Sequence, residues 1–166
     1  MPPQRRQSAT TASLPGASQT RIDARLRRRH LTIDVLVNNA GVLAHGPFVG
    51  MTAQDQQQVI DLNVSGLTAM LSQFVPGMVA RGHGRILNVA SIAAFQPVPS
   101  LATYAATKAY VLSLSESLAE ELRGSGVTVT ALCPGITATP MLSSAVEASA
   151  ALARLPGFLI GDVDAV

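Results

Sequence analysis

The chain has one cysteine, one lysine, no tryptophan, four phenylalanines and two tyrosines in 166 residues. A lone Cys133 excludes an internal disulfide framework. Three scattered histidines, with neither CxxC nor HxxxH spacing, offer no metal-ligand set, so no metal is expected. No run of eighteen apolar residues occurs, because Asp34, Asn38 and Asn39 interrupt the best candidate. A membrane span is therefore not expected, and a reducing cytoplasm is the expected location. Acidic residues are scarce at the start. Seven of the twelve basic residues lie within the first 29 positions, beside the single acid Asp23, whereas residues 30–166 hold five basic and nine acidic residues. The net charge of +2 thus belongs to the N-terminal segment, and a mildly acidic body argues against a nucleic-acid partner.

With 48% apolar and 13% charged residues, the chain suits one domain with a substantial core. Residues 1–20 are rich in Arg, Ser and Thr and lack acids, the composition of a transit peptide. No apolar face forms before Ile22, so they are read as a disordered tail, and 21–166 as the domain. A short basic helix over 19–30 precedes the apolar run Ile33 to Val37, a buried strand ended by Asn38 and Asn39. Thr52, with Asp55 three residues on, imitates a capping box. The helix it opens carries Val59, Leu62, Leu67, Met70, Leu71, Phe74 and Met78 along one helical face, bends near Pro76 and stops at Gly82. RILNVAS is a second strand. Residues 101–123 form a second helix, with Val111, Leu112, Leu118 and Leu122 inward and Gly124 as its stop, and VTVTALCPG is a third strand and a turn. Alternating strands and long helices define an α/β fold with a parallel sheet and right-handed crossovers. Ligands of such sheets collect at the carboxyl ends of the strands. Those ends are residues 38–41, 90–91 and 133–135, where the polar residues and glycines gather.

Tyr104 and Lys108, in YAATK, stand one turn apart on the second helix. They are either a solvated helix face or a proton-transfer pair. In the second case the ammonium lowers the phenol from about 10 toward the range of a general acid–base. Ser91 closes the preceding strand thirteen residues earlier, and Asn63 sits inside the first helix, where asparagine competes for backbone hydrogen bonds. Taken singly, Ser91 reads equally as a turn former, Cys133 as a small buried hydrophobe and His45 as a loop residue.

Together these residues resemble the short-chain dehydrogenase/reductases, nicotinamide-dependent enzymes on a Rossmann-type fold with helices on both faces of the sheet. The resemblance runs from residue 34 to residue 141. NNAG at 38–41 resembles the segment after the family's fourth strand, which stabilises the sheet and borders the cofactor. DLNVSG at 61–66 resembles the segment with the active-site asparagine, here Asn63. ILNVASIAA at 86–94 carries the serine, Ser91, and YAATK fits YxxxK. PGITATPM at 134–141 fits the PGxxxT segment that holds the nicotinamide carboxamide. Five motifs in order are far more specific than YxxxK alone.

The resemblance implies hydride transfer between NAD or NADP and a carbonyl or secondary alcohol. It makes Tyr104 the proton donor or acceptor and Lys108 the residue that lowers its pKa and holds the nicotinamide ribose. Ser91 would bond the substrate oxygen and Asn63 place a relay water. Cofactor contacts would come from Asn38, Ala40, Gly41, Tyr104, Lys108, Pro134, Gly135, Thr137 and Thr139. The partners implied are a small carbonyl or alcohol substrate and a second copy through the two long helices.

The family's glycine-rich pyrophosphate turn has no match. Among thirteen glycines only 82/84 and 124/126 are spaced by two, and Leu87 and Val129 fill the third place of GxGxxG. The expectation is a chain shortened at both ends, lacking the first strands and the last, with the catalytic residues intact and cofactor affinity weakened. The alternative is a catalytically impaired fragment that acts by association. Loops facing the strand ends, among them FQPVPSLAT and LSSAVEASAALARLPGFLI, are mostly apolar without clustered arginines, so an uncharged or weakly polar carbonyl compound is the expected substrate.

Overall fold

Thr52 accepts the Asp55 amide on its hydroxyl while Asp55 accepts the Thr52 amide, the reciprocal cap that the TxxD spacing predicts. From that cap runs α1 (Ala53–Ile60), then a π-helical turn (Asp61–Gly66), then α2 (Leu67–Arg81), which contains Pro76 and ends at Gly82 in the left-handed conformation. The computed structural model describes residues 22, 24–26, 28–137 and 160–161, with residues 136–137 and 160–161 given by their backbone. The arginine-rich tail, Thr139 and the apolar segment 142–159 lie outside them.

Three parallel strands, β1 (Val35–Asn38), β2 (Gly84–Val89) and β3 (Val127–Leu132), form a sheet in the order β1-β2-β3. Leu36 pairs with Ile86 and Ile86 with Val129. Between β2 and β3 lie a short 3-10 turn (Ile92–Phe95) and α3 (Ala102–Glu121), so the expected strand and helix order is present. β1 begins two residues later than the apolar run suggests. The Ile33 carbonyl is taken by the Arg81 guanidinium at 2.7 Å, and β2 is first met by the Asp34 carbonyl, which accepts from the Arg85 amide at 2.9 Å.

Both crossovers step the same way across the sheet, and right-handed connections then place α2 and α3 on one face. Burial follows: Leu36, Ile86 and Val127 enter the core with Leu67, Met70, Met78 and Val111. Their strand neighbours Thr128 and Thr130 are exposed. Leu62, Phe74, Leu112, Leu118 and Leu122, expected inward, are half-buried. Helices on the opposite face are not among the described residues. A second, two-stranded parallel pair joins β4 (Ile136–Thr137) to β5 (Ile160–Gly161) and returns the later chain to the end of β3. Two-residue strands carry no periodic signal, so the sequence shows only a turn and a loop there.

The turns that feed β2 and β3 are packed backbone to backbone. Gly82 (φ 71°) and Gly126 (φ 80°) are both left-handed, and a Cβ at Gly126 would overlap the Gly82 carbonyl. Gly124 shares the conformation (φ 81°) but has open space around it. Gly126→Ala is therefore expected to lose more than about 3 kcal/mol in denaturant unfolding, and Gly124→Ala only about 1–2 kcal/mol. Equal losses would show that the backbone contact contributes nothing.

Candidate active site

The carboxyl ends of β1, β2 and β3 converge on the first half of α3. The backbone ties them: Ala90 donates to the Leu132 carbonyl at 2.7 Å and Ile92 to that of Pro134 at 3.0 Å. Ser91 is thereby held against the Pro134-Gly135 turn. Gly46 donates to the Ser100 carbonyl at 2.9 Å, joining the loop after β1 to the entrance of α3.

Asn63 lies in the π-helical turn, 2% exposed. A π-turn adds one residue to the helical ladder and redirects a side chain, which reconciles a buried asparagine with a helix. Its Oδ1 accepts the Val42 amide at 2.9 Å, and its Nδ2 donates to the Val42 carbonyl at 2.8 Å and to Thr107 Oγ1 at 3.0 Å. Gly41 is pressed against the same group: a Cβ there would lie 3.4 Å from Asn63 Oδ1 and 3.5 Å from Lys108 Nζ. Both amide hydrogens of Asn63 are engaged, so a relay water would have to use the remaining lone pair of Oδ1.

Lys108 is only 6% exposed, and its ammonium donates to the Val89 carbonyl at the end of β2, 2.8 Å away. It stands 5.6 Å from the centre of the Tyr104 ring. Burial lowers its pKa to about 8, with Cys133 acting in the opposite sense. Cys133 is half-buried against the core, as a small apolar residue would be, yet it also faces the lysine. Ser91 lies close enough to the Tyr104 phenol to act on its pKa, and its hydroxyl accepts the Ala93 amide at 3.2 Å. The expectation that the ammonium lowers the tyrosine pKa is corrected here. Burial raises it, and Ser91 only offsets part of that rise. Withdrawing the phenol from water penalises the charged phenolate more than its neighbours support it.

Thus Asn63, Lys108 and Gly41 meet in one place, and Ser91 and Tyr104 meet beside Lys108. Asn38 serves the sheet: its Nδ2 donates to Asn88 Oδ1 at 2.8 Å, and Asn88 Nδ2 to Ser115 Oγ at 2.9 Å. Ala40 is half-buried in the loop that follows. Pro134 and Gly135 form the turn after β3, and Thr137 lies in β4. Three residues that sequence reasoning passed over, Asn88, Thr107 and Ser115, are buried polar groups on apolar faces. A polar residue at a core position was the available signal.

A three-stranded parallel sheet with Ser91, Tyr104 and Lys108 gathered at its strand ends is a Rossmann-like α/β arrangement. Residues 15–150 match the profile of the short chain dehydrogenases, and the chain belongs to that family. Oxidoreductase UcpA of Escherichia coli K12 is 40% identical over 121 residues, covering 72% of this chain and 46% of the relative. The 3-oxoacyl-[acyl-carrier-protein] reductase FabG of Thermotoga maritima is 37% identical over 126 residues, covering 75% of this chain and 51% of the relative. A crystal structure of a gluconate 5-dehydrogenase from Burkholderia cenocepacia, in complex with NADP and tartrate, superposes with a TM-score of 0.77 at 30% identity. It covers 88% of this chain and 58% of that one. The chain thus spans about half the length of the curated relatives it matches. No helix among the described residues is long and apolar enough to cross a membrane.

Proposed function

We propose that this chain carries the proton-transfer centre of a nicotinamide-dependent oxidoreductase that interconverts an uncharged or weakly polar carbonyl compound and its secondary alcohol. The observation that carries the reading is the half-buried phenol of Tyr104, set beside Ser91 and faced by the Lys108 ammonium. The nicotinamide, NAD or NADP, supplies the hydride when bound. The residues present suit its nicotinamide half. Gly41 keeps the β1 loop close to Lys108. Thr137 and Thr139 are the carboxamide-holding residues by motif. This stretch of sequence carries no glycine-rich turn for the pyrophosphate, and titration of the 166-residue chain by itself with NADH or NADPH is expected to give a dissociation constant above about 10⁻⁵ M. Low-micromolar binding would overturn that expectation.

In reduction Tyr104 gives its proton to the carbonyl oxygen while Ser91 donates a hydrogen bond to the same atom. A phenol whose pKa is raised is protonated throughout the neutral range and ready for this step. Lys108 presents positive charge only below about pH 8. Reduction is therefore expected to be level near neutrality and to fall as pH rises through about 8; a rate still level at pH 9.5 would count against the lysine's part. An apolar groove of about 580 Å³ runs between the Ser91 turn and α3, lined by Ala93, Phe95, Val98, Pro99 and Ala106. None of Ser91, Tyr104 and Lys108 lines it, so the preference for uncharged substrates rests on the apolar loop FQPVPSLAT that follows Ser91. A panel of neutral and anionic ketones, followed by nicotinamide absorbance with both cofactors, tests the reading: turnover confined to anionic compounds, or none at all, overturns it.

A further inference from the structure

Beyond the residues that would touch substrate or cofactor, one buried hydroxyl joins two parts of the site. Val42, in the loop after β1, fixes the orientation of the Asn63 amide. Its N–H must meet an oxygen and its C=O a nitrogen, so Oδ1 and Nδ2 have only one assignment. Nδ2 is a donor only, and Thr107 Oγ1 must therefore accept from it. The single Thr107 proton is left for the Tyr104 carbonyl, 2.7 Å away. The result is a one-way chain of hydrogen bonds, Val42 to Asn63 to Thr107 to the Tyr104 backbone, spanning residues far apart in sequence. Asn63 and Thr107 are 2% and 3% exposed, so water does not substitute for any link between them.

We propose that Thr107 is a positioning residue, coupling the Gly41-Val42 loop to Tyr104 so that the loop's place sets that of the phenol against Ser91. The inference rests on the proposed function for its catalytic consequence, but the coupling is a property of the chain alone. Threonine suits the task because its hydroxyl is both acceptor and donor, and its β-branch limits χ1. Valine keeps the shape and removes both bonds, alanine leaves room for a water, and serine keeps the hydroxyl.

The test compares Thr107→Val, Thr107→Ala and Thr107→Ser in protein with labelled tyrosine. Only Tyr104 and Tyr110 contribute ring resonances, and Tyr110 is assigned by Tyr110→Phe. The valine and alanine variants are expected to shift or broaden the Tyr104 resonances while those of Tyr110 hold, and to lower kcat by about 10- to 100-fold with KM nearly constant. Serine is expected to restore both readouts. Should the valine variant fail to fold, alanine decides, because water can satisfy Asn63 Nδ2 there. Unchanged Tyr104 resonances and kcat in the folded variants would overturn the proposal, as would losses that serine does not rescue. A wild-type chain with no turnover would overturn the proposed function instead, and the resonances alone would then decide the coupling.

Discussion

Tyr104→Phe is expected to lower cofactor-dependent carbonyl reduction by about 10²- to 10⁴-fold, the contribution of a positioned proton donor. The ring stays, with its packing and its place beside the Lys108 ammonium, and only the hydroxyl goes. What is lost is the hydroxyl beside Ser91, whose own oxygen accepts the Ala93 amide and so keeps a partner. Stability should therefore change by no more than about 1 kcal/mol. Steady-state rates beside thermal unfolding of the same preparation separate the two effects. Activity within a factor of about ten of wild type would mean that water or another group delivers the proton.

Lys108→Met is expected to remove activity and raise stability together. The ammonium beside the Tyr104 ring disappears, and turnover should fall by about 100-fold or more. Yet the ammonium is buried in the folded chain at a cost. A pKa of about 8, against about 10.4 for a solvated lysine, corresponds to a penalty of about 3 kcal/mol. Methionine fills similar space without that penalty and forfeits the bond from a charged donor to the Val89 carbonyl, worth about 1.5–3 kcal/mol. The net expectation is a gain of up to about 1.5 kcal/mol at neutral pH.

The sign with pH follows from the lowered value. Below pH 8 the lysine is charged in both folded and unfolded chains, and the penalty is fully present. Between about 8 and about 10.4 the folded chain releases the proton first, so wild-type stability rises with pH and the advantage of methionine shrinks. Denaturant midpoints of both proteins at pH 7 and pH 9.5 measure this directly. A methionine variant less stable than wild type at pH 7, or an advantage that grows with pH, would rule out burial as the cause of the lowered pKa.

The order of elements was legible because each leaves a local mark. Thr52 and Asp55 signal a helix start three residues apart, Gly82 and Gly124 mark helix ends, and YAATK places a phenol and an ammonium one turn apart. The π-turn was marked only indirectly, by an asparagine where helices disfavour one. Thr107, Asn88 and Ser115 were marked only as polar residues at core positions, and their partners 44, 50 and 27 residues away left no local trace.

By itself the sequence determined the parallel α/β order, the family, and the presence of Asn63, Ser91, Tyr104 and Lys108, since turn chemistry, period and motif spacing are written along the chain. Tertiary structure alone decided how those groups behave. It closed the amide of Asn63 on Val42 and Thr107, and it buried Lys108 until its proton is held only to about pH 8. It also raised the Tyr104 phenol where a neighbouring ammonium suggests the reverse. Desolvation depends on everything packed around a group, and that surrounding is assembled from segments no local pattern connects.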